Sequence, residues 1–128
     1  MKVAHKLSVA LVAIIHFGFM ALEMLFYNHP VGQKIFRVDA SFTEATKTLM
    51  LNQGLYNGFL AAGLILSLFL TKQQGAKVLS TFVLCCIVVA GVVGALSVSV
   101  NIFFYQSLPA IIALAISYLH REQQTYTA

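Results

Sequence analysis

The chain has 128 residues, 59% hydrophobic and 9% charged, with a mean hydropathy of +0.85 and a formal net charge of +4. Soluble domains carry about 25% charged residues, so the composition excludes an ordinary water-soluble domain, and the length leaves room for one domain only. The eight Lys and Arg residues lie almost wholly between apolar runs, with no basic stripe interleaved with aromatics, which excludes a nucleic-acid-binding surface and suits topology signals and contacts with membrane lipids.

The first apolar run, Leu7–Tyr27, is long enough to cross a bilayer, which takes about 20 apolar residues. The start MKVAHK imitates an export signal, but the run after it is too long and carries His16 and Glu23. It is expected to stay as the first spanning helix. Glu23 is its one acidic side chain, and such a group in hydrocarbon is costly unless paired, hydrated or neutralised. His16 and Glu23 are seven residues apart, so on a helix about 20° of azimuth and about 10 Å of height separate them, with Met20 between.

His29-Pro30 breaks that helix. Between Asn28 and Ala40, Val31, Ile35 and Val38 recur at helical spacing, which allows a short helix lying on the membrane surface. Ser41-Phe42-Thr43-Glu44 matches a capping box and predicts that a second helix begins there, outside the bilayer, and crosses it over 49–71. Lys72-Gln73-Gln74-Gly75 then supplies a polar stop.

From Val78 to Leu119 there is no formal charge. One helix of that length would measure roughly 60 Å, about twice the hydrocarbon thickness, so the segment must fold back. Asn101–Ser107 is its polar interruption, and Pro109 suits the first turn of a new helix. The expected fold class is therefore all-α: one integral membrane four-helix domain over 1–128, with spans at about 7–27, 49–71, 77–100 and 107–120. Lys2, Lys6, Lys72, Lys77 and Arg121 fall on one side of it, and Lys34, Arg37 and Lys47 on the other, which predicts cytoplasmic termini.

That topology places polar residues of several helices in the outer half of the membrane. Glu23, Asn52, Gln53, Tyr56, Asn57, Asn101, Tyr105 and Gln106 are expected near one another, around a pocket floored by His16. Gln53 and Asn57, four apart on one helix face, are the expected hydrogen-bond partners of Glu23. Plainer roles stand beside this: amides in membrane helices also serve as interhelical glue, and His16 can satisfy a backbone carbonyl. Gly54, Gly58 and Ala62, and likewise Ala90, Gly94, Ser97 and Asn101, form small-residue seams for packing within the bundle or between two copies of the chain.

Cys85 and Cys86 are adjacent, too badly placed on a helix for a disulfide, and read as small buried apolar residues. No phosphate-binding glycine loop, H-E-x-x-H or nucleophile elbow occurs. His16 and Glu23 stand too far apart to ligate one ion, so neither a metal nor a cofactor is expected.

The run Asn52-Gln53-Gly54-Leu55-Tyr56-Asn57-Gly58-Phe59-Leu60-Ala61-Ala62-Gly63-Leu64 resembles the hallmark of a family of small four-helix bacterial membrane proteins of unknown function. The resemblance extends to His16, Glu23-Met24, Ala90-Gly91, Gly94-Ala95, Gln106 and Pro109-Ala110, and covers essentially the whole chain. Members often carry Trp after the first-helix Glu, where this chain has no Trp and offers Phe26 and Tyr27. The resemblance implies the fold and a multi-pass location in a bacterial inner (plasma) membrane, and supplies no activity.

Three functional readings follow from the residues. In the first, Glu23 is the proton-linked acceptor of a pocket that binds or transports a small amphipathic molecule, as a first-helix glutamate does in small four-helix multidrug exporters. In the second, His16 and Glu23 are acid and base in an enzyme acting on a lipid, quinone or other hydrophobic substrate, which Tyr56 or Asn57 orients. In the third, the polar groups only hold helices in register in a membrane assembly partner.

Overall fold

The structure, a computed structural model, describes residues 3–125, with side chains as far as Leu119. Helix α1 (Val3–Ala21) runs on through a wide π-helical turn at Leu22–Phe26, and the short α2 (Pro30–Phe36) follows. Two long helices come next, α3 (Ala40–Phe69) and α4 (Gln73–Ser97). A second π-helical turn at Phe103–Ser107 then leads into α5 (Leu108–Thr125). Among the described residues there is no strand. The continuous segments Val3–Phe26, Ala40–Phe69 and Gln73–Ser97 are long and apolar enough to cross a membrane; Phe103–Leu119 is apolar but shorter.

α1 packs on α3 and α5, and α4 packs on the same two helices. Their shared core is Val9, Val12 and Ala13 of α1, Leu64 of α3, Val83, Leu84 and Ile87 of α4, and Ala110 and Ala113 of α5. The outward faces are as apolar as the core: Ile14, Phe69, Phe82, Val89 and Leu96 are all mostly exposed. A water-soluble protein seldom shows so large an apolar surface, whereas hydrocarbon solvates it. The helices are largely apolar all round, with Gly54, Asn57, Ser67, Ser80, Gly91 and Ser107 among the small and polar residues turned inwards.

Helix ends follow local chemistry and correct several expected boundaries. The start of α3 is capped by Asp39: its Oδ1 accepts the Phe42 amide at 2.8 Å and the Ser41 hydroxyl at 2.6 Å. The capping box expected from Ser41 and Glu44 is not formed. An ionised carboxylate is the stronger acceptor for first-turn donors, and Glu44 turns instead to Lys47 and to Asn28 Nδ2. These hydrogen bonds, from Ser41 first, hold the Asp39 carboxyl below its usual range. A depressed folded-state pKa contributes stability above the unfolded value and loses it as pH falls through the folded one. Protection of the Phe42 amide against exchange, taken relative to its intrinsic rate at each pH, should therefore fall on acidification below the ordinary Asp range. Asp39→Ala should show the low protection at every pH, and unchanged Phe42 protection in that variant would remove the assignment.

α3 ends at Phe69 and α4 starts at Gln73, four residues ahead of the expected 77. The reversal after α4 is confined to 98–100, where the Val98 and Ser99 amides both return to Gly94 O and the Asn101 amide donates to Ser99 Oγ. The polar segment 101–107, expected as the turn, is helical. Pro109 consequently lies inside a helix and not at its start. It has no amide to donate and its ring crowds the carbonyl four residues back; the wide turn at Phe103–Ser107, immediately before it, is a known relief for such a residue. Cys85 is exposed and Cys86 half-buried, so they are not the buried pair expected.

The segment between α1 and α3 forms a helix, as the spacing of Val31 and Ile35 suggests. His29 Nδ1 accepts the Val31 amide, Pro30 occupies the first turn, and Arg37 closes the helix in the left-handed conformation (φ 57°). Gly32 lies against the Phe26 and Tyr27 carbonyls, where no Cβ fits.

Candidate functional site

Asn57 Nδ2 donates to Glu23 Oε2 at 2.7 Å, joining the end of α1 to α3. Asn57 is buried (5% exposed) and Glu23 half-buried. Among the described residues the second Glu23 oxygen has no hydrogen-bond partner. Two backbone features bring the pair together. Glu23 stands in the π-helical turn, where one extra residue per turn widens the helix, and such insertions frequently mark functional sites. Facing it, α3 presents two glycines. A Cβ at Gly54 would lie 2.5 Å from Met24 Cγ and 3.1 Å from Glu23 Cβ, and one at Gly58 would lie 2.7 Å from Met20 Sδ.

The missing side chains thus let Met20 and Met24 lie flat on α3 and let Glu23 reach Asn57. Buried Gly54, Asn57, Ala61 and Leu64 form one stripe at spacings of three and four. The result is a carboxyl group with one fixed amide donor, one unengaged oxygen and two flexible thioethers beside it.

His16 is fully buried and separate from this pair. Its Nδ1 lies 3.0 Å from Val12 O, one turn back, and its ring meets Phe19 edge-on at 5.6 Å. Since a carbonyl only accepts, Nδ1 is the protonated nitrogen, and Nε2 has no partner among the described residues.

The remaining expected residues do not join Glu23. Asn52, Gln53 and Tyr56 are exposed, because they lie off the Gly54–Asn57 stripe of α3; Tyr56 meets the Phe59 ring edge-on. Asn101 and Tyr105 are exposed as well. Gln106 is half-buried in the second wide turn, its Cβ against Gly91. The arrangement is a pair with an apolar surround, not a hollow shared by residues of three spans. Of the seams, Gly54 and Gly58 carry a close helix contact and Gly94 lies against Ile102, whereas Ala62, Ala90, Ser97 and Asn101 are exposed; Gly91, outside the expected seams, makes the tighter contact of α4.

A polar cluster at the same end of the molecule has no counterpart in the sequence reading. Thr43, fully buried, donates to Asn28 Oδ1 at 2.6 Å and accepts Gln33 Nε2 at 3.4 Å, and Tyr27 OH pairs with Thr46 Oγ1 at 2.8 Å. Tyr27 also meets Phe36 edge-on at 5.1 Å. These contacts tie α2 to the start of α3 and hold the end of α1 beneath them. Single polar residues scattered over 27–46 carry no motif that foretells this.

The profile of a family described as "Protein of unknown function (DUF1304)" matches residues 10–118, a stretch that contains every residue of the site. The "Uncharacterized protein YpaA" of Lactococcus lactis subsp. lactis (strain IL1403) is 31% identical over 110 residues, covering 84% of this chain and 91% of that protein. No solved structure matches the chain.

Proposed function

We propose, from the premise that this chain belongs to the DUF1304 family of proteins of unknown function, that it is a four-helix integral membrane protein of the bacterial inner membrane. Its termini lie on the cytoplasmic side, and it binds a small amphipathic molecule at Glu23 in exchange for a proton. Three apolar helices of spanning length support the membrane reading. The Asn57–Glu23 hydrogen bond carries the rest. An ionisable group in a spanning segment is a functional candidate by default, and this one is held in place while half of its acceptor capacity stays unengaged. Met20 and Met24 offer the adaptable apolar contact that a ligand of variable shape needs.

Acid–base catalysis by His16 with Glu23 is the weaker reading. His16 is closed off by protein and turned to its own backbone, and the two side chains have separate partners.

The test uses tetraphenylphosphonium as an amphipathic cation, added to the purified chain in detergent in weakly buffered solution. Binding should release a proton, and Glu23→Gln should bind at least tenfold more weakly with no proton release while its helix content stays the same. Equal binding and equal proton release by the two proteins would rule this function out.

A further inference from the structure

The structure opens a groove of about 590 Å³ at the end of the molecule opposite α2, between the start of α4 and the end of the apolar part of α5. Its lining is Gln73, Gln74, Lys77, Val78 and Thr81 of α4 and Ser117 of α5. We infer that this groove is a binding site for the phosphate headgroup of an anionic phospholipid.

The volume falls within the range of about 300–1,000 Å³ usual for small-ligand sites, and the wall sets one cation and several amide and hydroxyl groups within a mostly apolar lining. Gln74, Lys77 and Thr81 follow one face of α4 at spacings of three and four, bringing two donors alongside the half-buried Lys77. Ser117 adds a hydroxyl from the neighbouring helix. Among the described residues no carboxylate lines the groove, and Lys6, Lys72 and Lys77 at this end are in no ion pair. The single described ion pair, Lys47 with Glu44, is at the far end. No described carboxylate therefore neutralises the cationic charge beside the groove.

The position selects a lipid over a free anion. Lys72, Gln73 and Gln74 are the polar break between two apolar helices, which sets the groove at the depth of the headgroups. Val78 and Phe82, both 65% exposed and four residues apart, continue down the same side of α4 into the apolar zone. A phosphate held by Lys77 and Thr81 would leave its acyl chains along Val78 and Phe82.

This site rests on the membrane reading above and is independent of Glu23. The full chain is reconstituted in phosphatidylcholine vesicles, and association of spin-labelled phosphatidylglycerol is compared with that of spin-labelled phosphatidylcholine. The parent chain should prefer phosphatidylglycerol by about fivefold, the size of one surface lysine's attraction to anionic lipid. Lys77→Gln should remove the preference, Lys77→Arg should retain it, and Lys47→Gln at the far end should leave it intact.

No preference in the parent chain, or an undiminished preference in Lys77→Gln, would overturn the site. Loss of the preference in the presence of 10 mM inorganic phosphate at constant ionic strength would assign the groove to the free anion and overturn the lipid assignment. A chain that fails to enter vesicles at all would sink this inference and the membrane reading together, whereas entry without selectivity sinks this inference alone.

Discussion

Gly91→Ala is expected to weaken the fold by about 1–3 kcal/mol, the usual range for forcing an extra methyl into a packed interior. A Cβ at Gly91 would overlap Ser107 Oγ and stand 2.9 Å from the Ser107 amide nitrogen and 3.2 Å from Gln106 Cβ. The Ser107 hydroxyl has no easy retreat, since it is fully buried and donates to Val88 O at 3.0 Å across the same contact. The added methyl must therefore break that hydrogen bond or push α5 off α4. Gly75→Ala is the matching control: nothing lies within 4 Å of that position in the first turn of α4, and alanine is the better helix former. Unfolding in mixed detergent micelles should give opposite signs for the two variants. A Gly91→Ala chain as stable as the parent would show that α4 and α5 do not approach here.

Asn57→Ala is expected to cost about 1–3 kcal/mol, because it strips Glu23 of its one hydrogen-bond donor and leaves a polar group unsatisfied in an apolar surround. Glu23→Gln should cost much less, since a side-chain amide oxygen accepts the same Asn57 N–H in the same space. Combining Asn57→Ala with Glu23→Ala, which does remove the acceptor, in a double-mutant cycle isolates the pair. Interhelical hydrogen bonds in membrane proteins average about 0.6 kcal/mol and reach about 1.7, so coupling within that span agrees with the geometry and coupling near zero contradicts it. Glu23→Gln by itself separates a binding role from mere assembly. If Glu23→Gln unfolds the chain, the carboxyl group is structural glue; if it folds and loses only tetraphenylphosphonium binding, the group is a site.

Most helical segments were legible because apolar runs of spanning length leave few alternatives; 101–107, polar and expected as a turn, was not. Between Asn28 and Ala40 the spacing of Val31 and Ile35 marked a helix, but Val38, grouped with them, lies beyond its end at Phe36. The Glu23–Asn57 pair followed from a cost: each group is too polar to be left alone at that depth.

The failures have a common physical origin. A spanning helix is apolar on every side, so spacing does not reveal which of Gln53 and Asn57 turns inwards; the glycines of α3 decide it, because Gly54 marks the stripe that touches α1 and Asn57 lies on that stripe. Both wide turns were invisible, since each depends on a tertiary contact: Gly54 and Met24 at the first, Gly91 and Ser107 at the second. The cap of α3 was misplaced by two residues because Asp39 and Ser41 both suit the role and only the stronger acceptor takes it.

The wide turn at Leu22–Phe26 has a bearing on how this chain tolerates changes in length. Removing one residue from it would restore an ordinary helix with continuous backbone bonding, so no gap would open in the chain. Because five residues of such a turn subtend about the angle of four α-helical ones, Val3–Ala21 would keep its azimuth relative to Tyr27, and Met20 and His16 would keep their places. A residue removed from the regular part of α1 would instead turn one part of the helix against the other by about 100°. The wide turn absorbs a surplus residue between a lower half of the helix set by the core and an upper half anchored through Tyr27 and Thr46.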